Sequence, residues 1–365
     1  MSVLSTCPFY RILQCAVLIL TASQHMSESA SSWTYLGNGG QENWKEVFPD
    51  CGGTAQSPIN IQTANVSYDE SLPPIQPIGY SNPGTDYFTL RNNGHTVVLS
   101  LSSSMHLRGL PYNFTAAQLH LHWGSTSLPI GSEHRIDGEF YPAEMHIVHY
   151  NSEKYTDIND AKNMPDGLAV LGIFLEAMPS SAADNPAYGK FFKYLENVSY
   201  AGQTVAIPAF SVHSLLPDHL DQYFQYKGSL TTPPCHQSVT WTVFHEKVQI
   251  SASQLDKLQT VIYSSRSVDV PVLLQNNVRE PQPLNQRTVY SSFHVAHAES
   301  FSKGQIFAIA LGTILGLVAI LGIVFFVVRT YSKKNRMDVE GKTSEAATKP
   351  PSGPAEQVEV KSFQA

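Results

Sequence analysis

Two histidines one residue apart stand in a stretch where polar and apolar residues alternate, QLHLHWG at 118–124. In a β-strand, His120 and His122 would point to the same face, about 6.6 Å apart along the chain. Two imidazoles placed in this way can bind one zinc ion, at Zn–N distances of about 2.0–2.1 Å. The pair alone fits equally two histidines that are packed or exposed on a sheet face, so it leaves the function open.

A second stretch, AEMHIVH at 143–149, places His146 and Glu144 on one face of another strand. On a neighbouring strand, His146 could supply a third metal ligand, and Glu144 could accept the N–H of its other ring nitrogen. Gln118 precedes His120 by two residues in the same way, so its side-chain oxygen could accept the N–H of that ring. Such partners fix the tautomer and the orientation of a ligating histidine. Three neutral histidines leave the fourth tetrahedral position of zinc open for water, which is typical of a catalytic site.

The elements that would hold these side chains are short β-rich runs separated by Gly, Pro and Asn. Helical periodicity is limited to 188–195 and 252–263, and Ser251 or Ser253 could cap the second helix. The sequence therefore predicts a mainly β (α+β) domain, with a large, predominantly antiparallel twisted sheet and helices on its surface. The predicted strands are 87–90, 96–101, 117–123, 143–150, 168–176 and 238–244.

Two apolar segments flank this domain. An apolar run at 12–20 follows Arg11 and leads into small residues, which is the order of a secretory signal peptide, although a buried N-terminal helix would also fit. The 23 residues 306–328 carry no charge and are long enough to span a bilayer as a helix. More basic residues follow this span than precede it, so the N-terminal bulk should face outside. The predicted parts are a signal peptide 1–23, an extracellular domain 33–293, a juxtamembrane linker 294–305, a transmembrane helix 306–328 and a disordered cytoplasmic tail 329–365.

The charge balance of the chain argues against one class of binding partner, nucleic acid. The 365 residues include 23 Lys and Arg against 30 Asp and Glu, a formal net charge of −7. A protein that binds phosphate backbones needs a clustered basic face, and outside the segment after Arg329 the chain has no Lys/Arg-rich stretch. Nucleic acid is therefore excluded as an expected partner.

Cysteine usage agrees with a secreted domain. Cys7 and Cys15 fall in the predicted signal peptide, which leaves Cys51 and Cys235 as a pair that we expect to form a disulfide rather than two buried thiols. N-glycosylation sequons fit the same compartment, and they begin at Asn65, Asn113 and Asn197.

Taken together, these motifs resemble those of the α-class carbonic anhydrases. The resemblance rests on QLHLHWG (118–124), GSEH (131–134), AEMHIVH (143–149), NNGH (92–95), QSPINI (56–61) and SLTTPP (229–234). It covers 33–293, and the order of signal, domain, single span and short tail is similar to that of the membrane-anchored members of the family.

The resemblance implies reversible hydration of CO2 to bicarbonate and a proton, with Zn2+ as the cofactor held by His120, His122 and His146. It implies that Thr231 orients the attacking hydroxide and donates its own proton to Glu133. His95 would carry the product proton to buffer, a task that suits a group titrating near pH 6.5. His134 and His149 would be buried structural histidines. The substrate would be bound beside the metal by residues 148, 170, 230–232, 239 and 241, namely Val148, Val170, Leu230, Thr231, Thr232, Val239 and Trp241.

The expected activity is that of a carbonate dehydratase at the outer face of the plasma membrane, in a single-pass type I protein. A non-catalytic recognition ectodomain of the same family is the alternative, and the complete set of three histidines favours the enzyme. The spacing of Gly312 and Gly316 in the span allows two helices to approach closely, which would give a homodimer through the transmembrane helix. Glycine is also common in spans that serve only as anchors, so both alternatives stay open.

Overall fold

The structure is a computed structural model, and it describes residues 33–128, 130–179, 181–295 and 303–345. The predicted signal peptide lies outside the described residues, as do 346–365 of the predicted tail and most of the predicted linker. The chain divides into two compact units, a large N-terminal domain and a C-terminal helical segment.

The N-terminal domain is built mainly of β-strands. They are β1 Asn60–Ile61, β2 Ser67–Tyr68, β3 Gln76–Ile78, β4 Tyr87–Asn92, β5 Val97–Ser100, β6 His106–Arg108, β7 Phe114–Trp123, β8 Arg135–Ile136, β9 Ala143–Asn151, β10 Leu168–Met178, β11 Thr204–Pro208, β12 Tyr223–Gly228, β13 Val239–Phe244, β14 Val248–Ser251 and β15 Tyr290–Ser291. Each of the strands predicted from the sequence corresponds to one of these.

Thirteen of the strands form one sheet, in the order β11-β4-β5-β7-β9-β10-β13-β12-β15-β2, with β14 paired to β10 and with β3 joined through β6 to β7. Most neighbours are antiparallel, as predicted. The parallel pairs in this sheet are β10 with β13, β10 with β14 and β15 with β2. Strands β1 and β8 form a separate parallel pair.

The central strands separate an apolar face from a histidine-bearing face. Leu119, Leu121 and Ile147 are fully buried in the larger apolar cluster. Because successive side chains in a strand alternate, the residues between them point to the other face. There, His120 lies directly opposite His146 in the register of β7 and β9. The alternation that the sequence displays therefore brings the predicted ligands to one place.

A register shift between Ala116 and Gln118 gives β7 one extra residue. Such a bulge bends a strand and re-aims the side chains that follow it. In β7 it comes immediately before Gln118 and the two histidines.

The helices of this domain are short. They are α1 Trp44–Val47, α2 Ile158–Ala161, α3 Pro186–Phe192 and α4 Ala252–Val261, with 3-10 turns at Gly37–Gly39, Pro49–Gly52, Thr63–Asn65, Leu195–Val198 and Val212–Leu215. Ser251 caps α4 in a capping box with Gln254. The predicted helix 188–195 is shifted toward the N-terminus, because the Asn185 side chain accepts the N–H of Ala187 and Pro186 occupies the first turn.

The C-terminal unit is one helix, α5, over Lys303–Glu345. Its segment Phe307–Met337 is long and apolar enough to cross a membrane. The prediction of disorder after residue 328 is wrong for 329–345, which continue the helix. These residues include many good helix formers and no proline before Pro350, so a polar composition here does not prevent helix formation.

Candidate active site

Three histidines from the two central strands meet on the polar face of the sheet. His120 and His122 come from β7 and His146 from β9, and their ring centroids are 4.6–5.2 Å apart. One nitrogen of each ring lies within 4.8 Å of those of the other two. This is the spacing at which three imidazoles can share one metal ion.

The remaining ring nitrogen of each histidine contacts an oxygen of the protein. The contacts are His120 Nδ1 with Gln118 Oε1 at 3.0 Å, His122 Nδ1 with the Asn277 carbonyl at 2.7 Å, and His146 Nε2 with Glu144 Oε1 at 2.7 Å. An oxygen acceptor requires the proton on that nitrogen, so the other nitrogen keeps its lone pair for a metal. Gln118 and Glu144 thus lie where alternation along the strand predicts.

The surroundings favour the neutral form of these rings, and they fit zinc. Burial lowers the pKa of all three, that of His122 to about 4. His122 Nε2 is buried and has no hydrogen-bond partner among the described residues. An orphaned buried nitrogen of this kind is costly unless something binds it, and a zinc ion held by three neutral imidazoles would do so.

A second set of three potential ligands, His134, Glu144 and His146, also lies close together. Here, however, the Glu144 carboxylate joins the two rings, with Oε1 at 2.7 Å from His134 Nδ1 and at 2.7 Å from His146 Nε2. Burial acts to raise the pKa of Glu144, but the two histidines hold it well below its usual value. These atoms already satisfy one another, so this set orients ligands and needs no metal of its own.

Glu133 lies against the histidines and is fully buried. Its Oε1 accepts the backbone N–H of Arg279 at 2.9 Å, and its Oε2 lies 3.4 Å from His122 Nε2. Burial raises the pKa of Glu133 to about 7, against the lowering influence of His146 and of the Thr231 hydroxyl. Oε2 has no partner in hydrogen-bonding geometry within the described chain, so it is free to accept a hydrogen bond from a nearby hydroxyl.

A cavity of about 240 Å³ opens beside His120 and His146. Most of the predicted substrate-binding residues line it, with Val239 as the exception. Val239 is buried in the apolar cluster that also contains Val170 and Trp241, so it supports the cavity wall instead of forming it. Sequence reasoning missed four residues of the lining, which are Ile158, Asn159, Lys162 and Leu168. The predicted residues that line it are Val148, Val170, Leu230, Thr231, Thr232 and Trp241.

His95 lies in the turn between β4 and β5, where it is half-buried. Its ring stacks on Trp33, with the centroids 3.8 Å apart and the planes 10° from parallel. Burial lowers its pKa. The residue is not part of the lining of the 240 Å³ cavity. The structure therefore places it apart from the cavity wall, with its ring against an aromatic neighbour.

Cys51 and Cys235 form a disulfide that joins segments 184 residues apart. Cys235 ends the segment that carries Thr231 and Thr232, and Gln56 binds its carbonyl through Nε2 at 3.2 Å. Tyr35 and Trp44 are buried with the two cysteines. The bridge thus ties the threonine-bearing loop to the N-terminal segment of the domain.

Sequence reasoning did not identify Asn277 and Arg279, which contact two of the predicted site residues, His122 and Glu133. Both contacts use main-chain atoms of a segment with no regular secondary structure. A main-chain contact leaves no pattern of residue types, so alternation and motif spacing could not have revealed it.

The asparagines of the predicted sequons, Asn65, Asn113 and Asn197, are all exposed. Their positions leave them accessible to a modifying enzyme.

Comparison with known proteins extends over nearly the whole chain. The family profile described as eukaryotic-type carbonic anhydrase matches residues 39–293. The chain is 41% identical to Carbonic anhydrase 12 of Homo sapiens over 92% of its own length and 96% of that protein. It is 41% identical to Carbonic anhydrase 6 of Homo sapiens, over 74% of this chain and 85% of that protein. Its identity to Carbonic anhydrase 1 of Monodelphis domestica is 37%, over 72% and 98% of the two chains.

Proposed function

The chain belongs to the eukaryotic-type carbonic anhydrase family, and from this membership we propose that it is a zinc enzyme that hydrates CO2 reversibly to bicarbonate and a proton. The observation that carries the proposal is the set of three histidines, each fixed by an acceptor on one nitrogen and directed with the other toward a common point.

His120, His122 and His146 would hold the metal. When bound, zinc supplies a nucleophile at neutral pH, because it lowers the pKa of a water ligand to about 7. Gln118, Glu144 and the Asn277 carbonyl hold the three rings in the tautomers and orientations that ligation requires.

Thr231 and Glu133 would direct the attack. Thr231 lines the cavity, and Glu133 Oε2 is free to accept a hydrogen bond from its hydroxyl. A threonine that donates to a carboxylate can use only its lone pairs toward a second partner, so it accepts a hydrogen bond from the attacking group and fixes its direction.

The apolar wall formed by Val148, Val170, Leu230 and Trp241 would hold CO2 and exclude water beside the metal ligands. A small uncharged substrate needs such a wall, because it offers little for polar groups to bind. His95 would take up the product proton and release it to buffer, since an imidazole is the side chain best suited to proton exchange under physiological conditions, although burial lowers the pKa of this one.

We infer that the enzyme works outside the cell, as a type I single-pass protein of the plasma membrane. Support comes from the apolar helix segment Phe307–Met337, from the basic residues that follow it and from the disulfide. A homodimer through α5 is part of the same proposal, and it rests on the spacing of Gly312 and Gly316 alone.

The proposal is tested by CO2 hydration with the purified full chain in detergent, measured in stopped flow before zinc removal, after chelation and after zinc is restored. We expect activity that disappears with the metal and returns with it. A fully zinc-loaded chain without hydration activity would favour the alternative, a recognition ectodomain of the same family.

A further inference from the structure

The segment 274–280 touches the site at two points but has no regular secondary structure. The Asn277 carbonyl accepts the Nδ1–H of His122, and the Arg279 N–H donates to Glu133 Oε1. In the described part of the chain, residues 275–280 make no backbone–backbone hydrogen bond. The segment is therefore held by hydrogen bonds that involve side chains. Gln275 and Glu280 are bonded in this way at its ends, and its middle needs anchorage of its own.

Two buried side chains provide this anchorage. The Asn277 amide binds the main chain of Trp123, His95 and Leu121. The Arg279 side chain is only 3% exposed, and it extends toward the N-terminal segment of the domain. Its guanidinium lies over the Trp44 ring, 5.5 Å from the ring centre.

The guanidinium of Arg279 donates hydrogen bonds in several directions at once. Nη1 donates to Gln56 Oε1 at 2.8 Å and to the Ser57 carbonyl at 2.9 Å, and Nη2 donates to the Cys51 carbonyl at 3.0 Å. These acceptors are neutral oxygens, and burial lowers the pKa of Arg279 to about 10. Burial disfavours the charge of Arg279 and the nearby Glu133 carboxylate favours it, while the planar guanidinium fixes the directions of the three acceptors.

We propose that Arg279 is a positioning residue for catalysis: its guanidinium fixes the segment 274–280 so that the Arg279 N–H holds the Glu133 carboxylate in the direction of Thr231. This inference rests on the proposed function. Glu133 has one oxygen bound by Arg279 and the other free. Loss of the first contact would let the carboxylate rotate, and the free oxygen would no longer point to the hydroxyl that it must serve.

The inference predicts a defined pattern of rates. In the full chain, Arg279→Gln should lower kcat/KM for CO2, measured per bound zinc, by about tenfold to a hundredfold. Arg279→Lys should give a similar loss, because a flexible ammonium cannot bind three acceptors in the plane that a guanidinium fits. The Lys variant keeps the charge and so also tests the idea if the Gln variant fails to fold.

Arg287 offers a matched control. Its guanidinium also donates to main-chain oxygens, those of Leu284, Lys227 and Pro283, and also lies over a buried aromatic ring, that of Tyr226. It does not contact Glu133 through its main chain. Arg287→Gln should therefore cost stability in the same way while kcat/KM per bound zinc stays at the wild-type value.

A double-mutant cycle with Glu133→Gln decides whether Arg279 acts through Glu133. We expect that Arg279→Gln lowers kcat/KM in the wild-type background and has little further effect once Glu133 is replaced. Additive losses, or an unchanged kcat/KM in both Arg279 variants, would overturn the inference. An inactive zinc-loaded wild-type chain would instead overturn the proposed function, so the two failures can be told apart.

Discussion

His120, His122 and His146 each use one ring nitrogen for a partner inside the protein and keep the other for a shared centre. Alternation along two strands predicts the three candidate ligands and two of the partners, Gln118 and Glu144, because within each strand these residues lie two positions apart. The third partner is the carbonyl of Asn277, which is distant in sequence and contributes no side chain. Local patterns therefore predict the ligand set but only part of its support.

Replacement of His95 tests proton transfer at the scale of a single residue. We expect His95→Ala to lower kcat of CO2 hydration in weak buffer by at least about tenfold, with kcat/KM nearly unchanged, because proton export and not attack is affected. Added imidazole should restore the rate in stopped flow. An equal loss in concentrated buffer would mean that the stacking of His95 on Trp33 has a structural role. His213→Ala, at an exposed histidine, is the control.

Buried His149 predicts a loss of stability in acid. Burial lowers its pKa to about 3, whereas an unfolded histidine titrates near 6.5. Between these values the unfolded chain binds more protons, so the free energy of unfolding falls as the pH falls from about 6.5, by at most about 1.4 kcal/mol per pH unit for this residue. Above about pH 6.5 the residue has no effect on the pH dependence.

Denaturant unfolding at a series of pH values checks this prediction. His149→Gln should weaken the dependence of the unfolding free energy on pH below about 6.5, whatever it does to stability itself. His213→Gln, which removes an exposed histidine, is measured in parallel as the control. The same slope for wild type and His149→Gln would show that His149 does not contribute to acid lability.

At the scale of elements, β7 and β9 carry the three candidate ligands, and the proposed mechanism requires a third element, the loop of Thr231, to be held against them. The sequence predicts these strands well because one face of each is apolar and the other is not. It does not predict the irregular segment 274–280, which is placed by buried side chains and not by pattern. Nor does composition predict that α5 continues to Glu345, since polar residues can be strong helix formers.

We expect the disulfide to link the stability of the Thr231 loop to the activity of the enzyme. Because Cys235 closely follows Thr231 in the loop, Cys51→Ser should lower both the thermal midpoint and kcat/KM, even in protein that retains zinc. Loss of a native disulfide typically costs about 2–5 kcal/mol. Differential scanning fluorimetry and stopped flow on the same samples measure the two effects.

The double variant Cys51→Ser with Cys235→Ser is the control, since it lacks the bridge without leaving a free thiol. It should match the single variant. A single variant with wild-type midpoint and activity would contradict the role assigned to the bridge.

At the scale of the whole molecule, the chain joins a β-rich domain to an apolar helix. The apolar helix can be predicted from composition, and its orientation stays a prediction from the flanking charges. Association of the helix depends on packing between chains, which a single sequence does not determine. Gly312 and Gly316 are four residues apart in α5 and therefore lie on the same side of the helix, a spacing that allows close approach of a second helix.

We expect residues 303–336 to self-associate in a bilayer, as measured by energy transfer between labelled peptides. The double change Gly312→Ile with Gly316→Ile should abolish the signal, because the larger side chains prevent close approach. Gly322→Ile is the control within the same helix. A signal unchanged by the double substitution would leave the segment as a simple anchor.

The central claim is that three histidines hold a zinc ion on which CO2 hydration depends. Zinc content and CO2 hydration, measured on one preparation of the full chain, test it most directly. The account predicts one zinc per chain and hydration activity in the wild type and in the exposed-site control His219→Ala, with the loss of both in His146→Ala. Full hydration activity in a metal-free His146→Ala variant would contradict it.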